Sequence, residues 1–487
     1  MRTASNRARA ARAGVLLIAA LLAALAALLP AAGPASASGA TAEAAAGPVA
    51  TEVTFTGAGG TVLHGTVLAP GAAPGARTPG LVMVPGAGPG PRSELRAAAE
   101  AYARRGVTTL IYDKRTDGYS TTHRDYGQLA DDALAAVRLL RTRPEVEPTR
   151  VGLWGLSEGA WAVSLAAARS TDVAYVVTAG AVGLTPARQQ SWAYDGYLRH
   201  AGISGSLVTA LRETSIRRLA AAGLFPEADY DPVPAWERVR VPVLAEWGAL
   251  DREAAPEESA AIIRRALDRA GNTHYTLRTV PGVRHNLHLT DDDGYDRPTT
   301  LPADYADYEA GWIHRLATAP PPVTVDPAPH QDVASRPLAP LAWYEATWLQ
   351  ALATAVCLLG FAGYALTGAV RRVRRHPRPT ALPRAARWTS AAGTAAVLGC
   401  LGYLLFLTMT AAMFTGPVLF GRPLVWLLAQ LLAVLTLTAA GTATAALAHR
   451  RRTLSALSAL DRTRLAALLL AAVAFLPWAL GWGLLLP

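Results

Sequence analysis

Hydrophobic and polar positions change rhythm along the chain. From Thr51 to about Ala317, short β-branched runs alternate with longer amphipathic stretches. Thr51–Thr56 and Leu63–Leu68 read as an opening hairpin. Gly80–Val84, Val107–Tyr112, Arg150–Trp154, Val173–Thr178, Pro242–Trp247 and His274–Val280 read as further strands. Arg92–Arg105, Leu129–Arg141 and Pro256–Ala270 carry apolar residues at helical spacing between them. Strand followed by helix, repeated, predicts an α/β fold: a mostly parallel sheet with helices on both faces. One insertion, residues 184–240, interrupts the alternation with a long helical pattern rich in Trp, Tyr and Leu. It separates two core strands, the place for a helical cap over a pocket.

Beyond residue 318 the pattern changes again. Residues 319–346 are Pro-rich and predict a linker. Residues 347–487 hold four apolar runs, near Trp348–Val370, Trp388–Met413, Leu424–Ala448 and Leu465–Leu486. Each has the roughly 20 residues that cross a hydrocarbon core of about 30 Å, so a four-helix transmembrane domain is expected. At the other end, Arg2, Arg7, Arg9 and Arg12 precede the apolar Val15–Leu29 and then Ala35-Ser36-Ala37. A basic start, a short apolar core and a small-x-small site predict a signal peptide over residues 1–37. That leaves 38–318 for the α/β domain.

Charge sharpens this division. The chain carries +10 overall. The first 37 residues contribute four Arg and no acid, and from Leu338 onward 13 Arg face only Glu345 and Asp461, which leaves about −5 for the middle. The basic residues belong to the ends, so a nucleic-acid partner is not expected. Between the apolar runs the arginines are uneven: Arg371, Arg372, Arg374, Arg375, Arg378, Arg384 and Arg387 in the first loop, Arg422 alone in the second, and Arg450, Arg451, Arg452, Arg462 and Arg464 in the third. Arginine-rich loops stay cytoplasmic. The expectation is a multi-pass protein of the cell membrane whose α/β domain lies outside, the side to which the signal also directs it. The lipid bilayer is then a partner. Both cysteines, Cys357 and Cys400, lie in apolar runs, which excludes a disulfide framework and a thiol-ligated metal. Lys114 is the only lysine beside 45 arginines, a bias read as genomic base composition.

The chemistry concentrates in Gly155-Leu156-Ser157-Glu158-Gly159, which follows the strand-like Val151–Trp154 and precedes the helix-like Trp161–Arg169. In that context Gly155 and Gly159 permit a tight strand-to-helix turn that exposes the Ser157 hydroxyl as a nucleophile. A serine needs a base, and the base an orienting carboxylate, in the chain order Ser, acid, His. Asp251 follows the strand ending at Gly248, and His285 follows the next one. His288 is the competing base. Glu246 and Asp291-Asp292-Asp293 are competing acids, Glu246 mispointed within its strand and the Asp run placed in a solvated loop. Two backbone N–H groups should form an oxyanion hole. Glu158 supplies one at a helix N-terminus and Ala87 the other, from Pro85-Gly86-Ala87-Gly88-Pro89-Gly90, where the prolines cannot donate. That glycine loop lacks the Lys-Ser/Thr ending of a phosphate-binding loop.

With these residues in view, the stretch from about Thr51 to Ala317 resembles the α/β-hydrolases, near the esterases related to dienelactone hydrolase and the prolyl-oligopeptidase-like and serine-aminopeptidase-like domains. Tyr112-Asp113-Lys114-Arg115-Thr116-Asp117-Gly118-Tyr119-Ser120 is similar to the family's Asp-x-Arg-Gly-x-Gly-x-Ser loop, departing from it at Thr116. Pro85 stands where the family's oxyanion loop has His. The resemblance implies hydrolysis of esters, thioesters or peptides with no metal or cofactor, and it does not extend to the four-run tail. The expected function is an extracytoplasmic carboxylic-ester hydrolase acting on a small ester or acyl substrate. The alternatives are a peptidase or thioesterase of the same fold, or a non-catalytic binding or sensing ectodomain.

Overall fold

A computed structural model describes residues 47–71, 76–374, 384–449 and 457–487. The expected signal segment lies outside the described residues.

Nine strands form one sheet: β1 (Val49–Thr56), β2 (Val62–Ala69), β3 (Thr78–Val84), β4 (Thr108–Tyr112), β5 (Val146–Leu156), β6 (Val176–Ala179), β7 (Val243–Gly248), β8 (Tyr275–Val280) and β9 (Thr324–Val325). Their spatial order is β1-β2-β4-β3-β5-β6-β7-β8-β9. The opening hairpin pairs antiparallel, as does β2 with β4, and every other pairing is parallel. Parallel strands must be joined by crossovers, and helices Arg96–Arg104, Tyr126–Arg141, Glu158–Arg169 and Pro256–Arg269 supply them. The sheet is apolar on both faces. Val82, Val84, Leu110, Leu153 and Val176 enter one core with Trp161 and Trp236, while Leu81, Met83, Ile111, Trp154 and Val177 enter another with Tyr102 and Trp312. Alternate residues of one strand thus serve opposite faces, as the two-residue period requires. This is an α/β-hydrolase fold.

The Pro-rich stretch expected as a linker departs from a free tether. Thr324–Val325 adds to the sheet as β9, with the Asp326 N–H donating to Leu277 O at 2.9 Å. Further on, Trp192 Nε1 donates to Val333 O at 2.7 Å, and Arg188 Nε to Ser335 Oγ at 2.8 Å. A two-residue strand between prolines has no readable periodicity; the open edge of β8 makes it a strand.

The described residues up to Ala193, together with Gly223–Pro337, form one compact unit, and Tyr194–Ala222 with Leu338–Pro487 form a second. Part of the insertion expected as a cap therefore groups with the tail. In that second unit four helices are long and apolar enough to cross a membrane: Thr347–Val373, Arg384–Met409, Leu424–His449 and Ala459–Gly481. They bury small residues such as Ala396, Ala433 and Ala471 together with Phe361, Trp426, Phe475 and Trp478, and leave Leu359, Leu366, Leu431, Leu470 and Val473 exposed. A Cβ on Gly360 would sit 2.7 Å from Ala467 O, so glycine is what lets these two helices approach. From the insertion, Arg217 forms a two-pronged ion pair with Glu345 at 3.0 and 2.6 Å. The Ser206 hydroxyl accepts from Trp426 Nε1 at 3.3 Å.

Candidate active site

Ser157 ends β5 and begins helix Glu158–Arg169 with φ 51°, ψ −111°, a backbone region that side-chain-bearing residues rarely occupy. Close approach of backbone to backbone forces this geometry. A Cβ on Gly155 would stand 2.6 Å from both the Gly159 carbonyl carbon and its oxygen, and one on Gly159 would stand 2.9 Å from Pro85 O. The two glycines read from the sequence are where the helix start, the nucleophile strand and the loop after β3 meet.

Neighbouring strands bring the other residues to the same end of the sheet. The Ser157 N–H donates to Ala179 O at 3.0 Å across β5 and β6. The next residue, Gly180, has φ +59°, and a Cβ there would lie 2.6 Å from His285 Cε1 and Nδ1. The imidazole thus packs against the residue that follows the partner of Ser157. His285 leaves β8 through Gly282 and a tight turn, held by the Leu250 N–H donating to Val283 O at 3.0 Å. That bond also ties the His285 loop to the Asp251 loop after β7.

His285 Nδ1 lies 2.9 Å from Asp251 Oδ2, and both side chains are buried. Asp251 Oδ1 accepts from the Glu253 and Ala254 amides at 2.8 and 2.9 Å. Burial alone would raise the Asp251 carboxyl, but the facing imidazole and the two amides more than offset it and hold it below the usual carboxylate range. Burial alone would lower His285, but the Asp251 carboxylate, with Glu253 behind it, raises it above the ordinary imidazole value. With Nδ1 engaged by the carboxylate, Nε2 is the free imine position. It is buried and has no hydrogen-bond partner among the described residues.

The competing residues go elsewhere. His288 Nδ1 faces Asn286 Nδ2 at 3.0 Å and Pro298 O at 3.3 Å, with no carboxylate among these contacts. Glu246, fully buried in β7, takes Arg278 from β8 at 2.6 Å. Asp291–Asp293 lie in an exposed loop. Of the two amides expected at the oxyanion, Glu158 opens its helix and lacks an intrahelical acceptor. The Ala87 N–H donates to no protein acceptor among the described residues.

Sequence reasoning missed a buried polar cluster behind these amides. The Glu158 carboxylate, 1% exposed, accepts from Lys114 Nζ at 3.0 Å, Tyr119 Oη at 2.6 Å and Arg124 Nη1 at 2.7 Å. Tyr119 Oη also accepts from the Gly88 N–H at 3.1 Å, and Lys114 Nζ donates to Gly86 O. The available signals were an acid next to the nucleophile, in a helix too apolar to leave it in water, and the solitary lysine. Among the described residues no group of His, Cys, Asp and Glu is arranged to hold a metal ion.

Residues 94–301, less than half of the chain, match the model of the prolyl oligopeptidase family, a stretch that includes Ser157, Asp251 and His285. Together with the fold this match supports a serine hydrolase or peptidase of the α/β-hydrolase type. Among curated proteins, the chain is 36% identical over 76 residues to a thiohydrolase of Arthrinium phaeospermum, covering 15% of this chain and 25% of that protein. It is 28% identical over 135 residues to a polyketide transferase of Penicillium crustosum, covering 27% and 44%. The chain thus spans less than half the length of the curated relatives it matches. Among solved structures, a dienelactone hydrolase from Anabaena variabilis is similar at 18% identity and a TM-score of 0.36, covering 55% of this chain and 99% of that one.

Proposed function

We propose that the chain is a membrane-anchored serine hydrolase of carboxylic esters, with Ser157 as nucleophile, His285 as base and Asp251 as orienting acid. The observation that carries this reading is the His285 ring. One nitrogen is fixed on a carboxylate, while the other is buried and unpartnered beside the strand end that presents Ser157. In that arrangement Ser157 Oγ attacks the acyl carbon as His285 Nε2 takes its proton, and the imidazolium then protonates the leaving alkoxide. Asp251 stabilises the imidazolium and holds the tautomer with Nδ1 protonated. The Ala87 and Glu158 N–H groups receive the developing oxyanion. Water then repeats the cycle on the acyl-enzyme.

Four apolar helices, the arginine-rich loops and the N-terminal signal pattern support a domain held outside the membrane. Thioester and peptide substrates share the acyl-enzyme route, and they are favoured by the thiohydrolase relative and the family match respectively.

The test is labelling of the full-length protein in detergent with a fluorophosphonate, then a panel of matched ester, thioester and amide substrates. Ser157-dependent labelling with ester turnover highest is expected. Undiminished labelling of Ser157→Ala would overturn the assignment. Faster amide cleavage would make the protein a peptidase.

A further inference from the structure

Building on the reading of Ser157 as nucleophile, we propose that Lys114 is a positioning residue that aims the Ala87 N–H at the oxyanion by holding the carbonyl of Gly86.

The argument rests on one peptide plane. Gly86 C=O and Ala87 N–H belong to the same peptide unit, and no cis bond occurs among the described residues. In a trans peptide these two groups point in opposite directions, so fixing one fixes the other. The segment Pro85–Gly90 has no regular structure of its own, and Gly88 and Gly90 sit at φ +114° and +56°. Nothing local sets its orientation. Lys114 Nζ takes Gly86 O from one side, which turns the Ala87 N–H to the other. The following peptide is pinned by the Gly88 N–H donating to Tyr119 Oη at 3.1 Å, an oxygen that Lys114 Nζ also reaches, and the Lys114 backbone N–H holds Gly90 O at 3.2 Å. A Cβ on Gly86 would lie 3.5 Å from Leu156 O, so the aimed peptide runs beside the residue that precedes the nucleophile.

The lysine itself is anchored from the nucleophile side. Its ammonium has three N–H bonds and meets three acceptors: Gly86 O, Tyr119 Oη at 3.2 Å and Glu158 Oε1 at 3.0 Å. Convergence of three acceptors on one point suits a compact ammonium and not the planar fork of a guanidinium. That explains a lysine here in a chain that otherwise uses arginine for every fixed cation. Burying an ion pair is a poor route to stability compared with apolar packing. Lys114 and Glu158 are 4% and 1% exposed, and the pair joins the residue after Ser157 to the loop that carries the second donor. Both halves of the oxyanion hole are thereby referenced to one charge pair.

The test compares wild type, Lys114→Met, Lys114→Arg and the charge-neutral double variant Lys114→Met/Glu158→Gln, all as full-length protein in detergent. The double variant keeps the test valid if a lone buried carboxylate prevents folding. The ester kcat should fall about 10²–10³-fold in every variant, the size of losing one oxyanion donor, with KM changed less than threefold. Affinity for a boronic acid, which mimics the tetrahedral intermediate, should fall in parallel with kcat. Arginine should fail to rescue. A wild-type kcat in the folded double variant, or a loss confined to KM, would overturn the proposal. If the wild type shows no Ser157-dependent labelling, it is the nucleophile assignment that fails; labelling intact with kcat unmoved by Lys114→Met condemns the positioning role alone.

Discussion

Gly155→Ala tests whether the strand-to-helix turn is as tightly packed as the geometry requires. The new methyl would stand 2.6 Å from the Gly159 carbonyl carbon and oxygen and 2.8 Å from Ala160 N, where ordinary contact begins near 3.4 Å. All three are backbone atoms, so no side chain can swing away; the helix start must retreat by about 0.8 Å to restore contact. Overpacking of this kind costs roughly 1–3 kcal/mol, and with only backbone to yield we take about 3 kcal/mol. At about 2 °C per kcal/mol, the value for a domain somewhat above 250 residues, the midpoint should drop by roughly 6 °C. The same displacement moves Ser157 relative to His285 and should slow acylation about 10²-fold at 25 °C. Fluorophosphonate labelling after a graded heat challenge reads both quantities, and it reports on the α/β domain without needing the whole chain to unfold as one. Gly441→Ala, in a tail helix with nothing within 4 Å of the added methyl, is the control and should leave both unchanged. A Gly155→Ala midpoint within 2 °C of wild type, with the labelling rate retained, would refute the packing argument.

His285→Ala should cost at least about 10³-fold in ester turnover while His288→Ala, facing a carbonyl and an amide, costs little; reversed ranks would mean the base has been misassigned. Because the base must be neutral and Asp251 raises His285, the protonated, inactive form persists to higher pH, and the acid limb of kcat/KM should lie above the 6.5 of free imidazole. In Asp251→Asn the residual activity should show that limb shifted downward, since burial is then opposed only by the more distant Glu253, and an unshifted limb would count against the pairing. Alkaline phosphatase fused after Pro487 should be active and the same enzyme inserted after Arg375 inactive, and the opposite pattern would place the catalytic domain in the cytoplasm.

The sheet was legible because its strands are buried on both faces and therefore read as unbroken apolar runs, as in Leu81–Val84 or Val243–Ala245. The pairing of Asp251 with His285 was legible because strand order brings the residues after β7 and β8 to one end of the sheet. The Lys114–Tyr119–Glu158 cluster was not, since its members are 44 residues apart at the extreme and meet only when β4 and the nucleophile helix pack around the loop after β3. Periodicity likewise showed that Tyr194–Ala222 is helical but not what it packs on; Ser206 and Arg217 find partners more than 100 residues away. β9 escaped for a simpler reason, that its strand character belongs to its neighbour.

On the proposed assignment, the positive φ of Ser157 sets stability against activity at a single residue. Held in a region that costs of order 1–3 kcal/mol for a residue with a side chain, the serine is kept there by the elbow's packing and relaxes nowhere in the folded state. Ser157→Gly should therefore melt higher than the wild type while losing all turnover, because glycine accepts that backbone angle without penalty. Selection for thermal robustness alone, with no demand on hydrolysis, would be expected to remove this serine early. On that assignment, catalysis favours a residue at this position that stability does not.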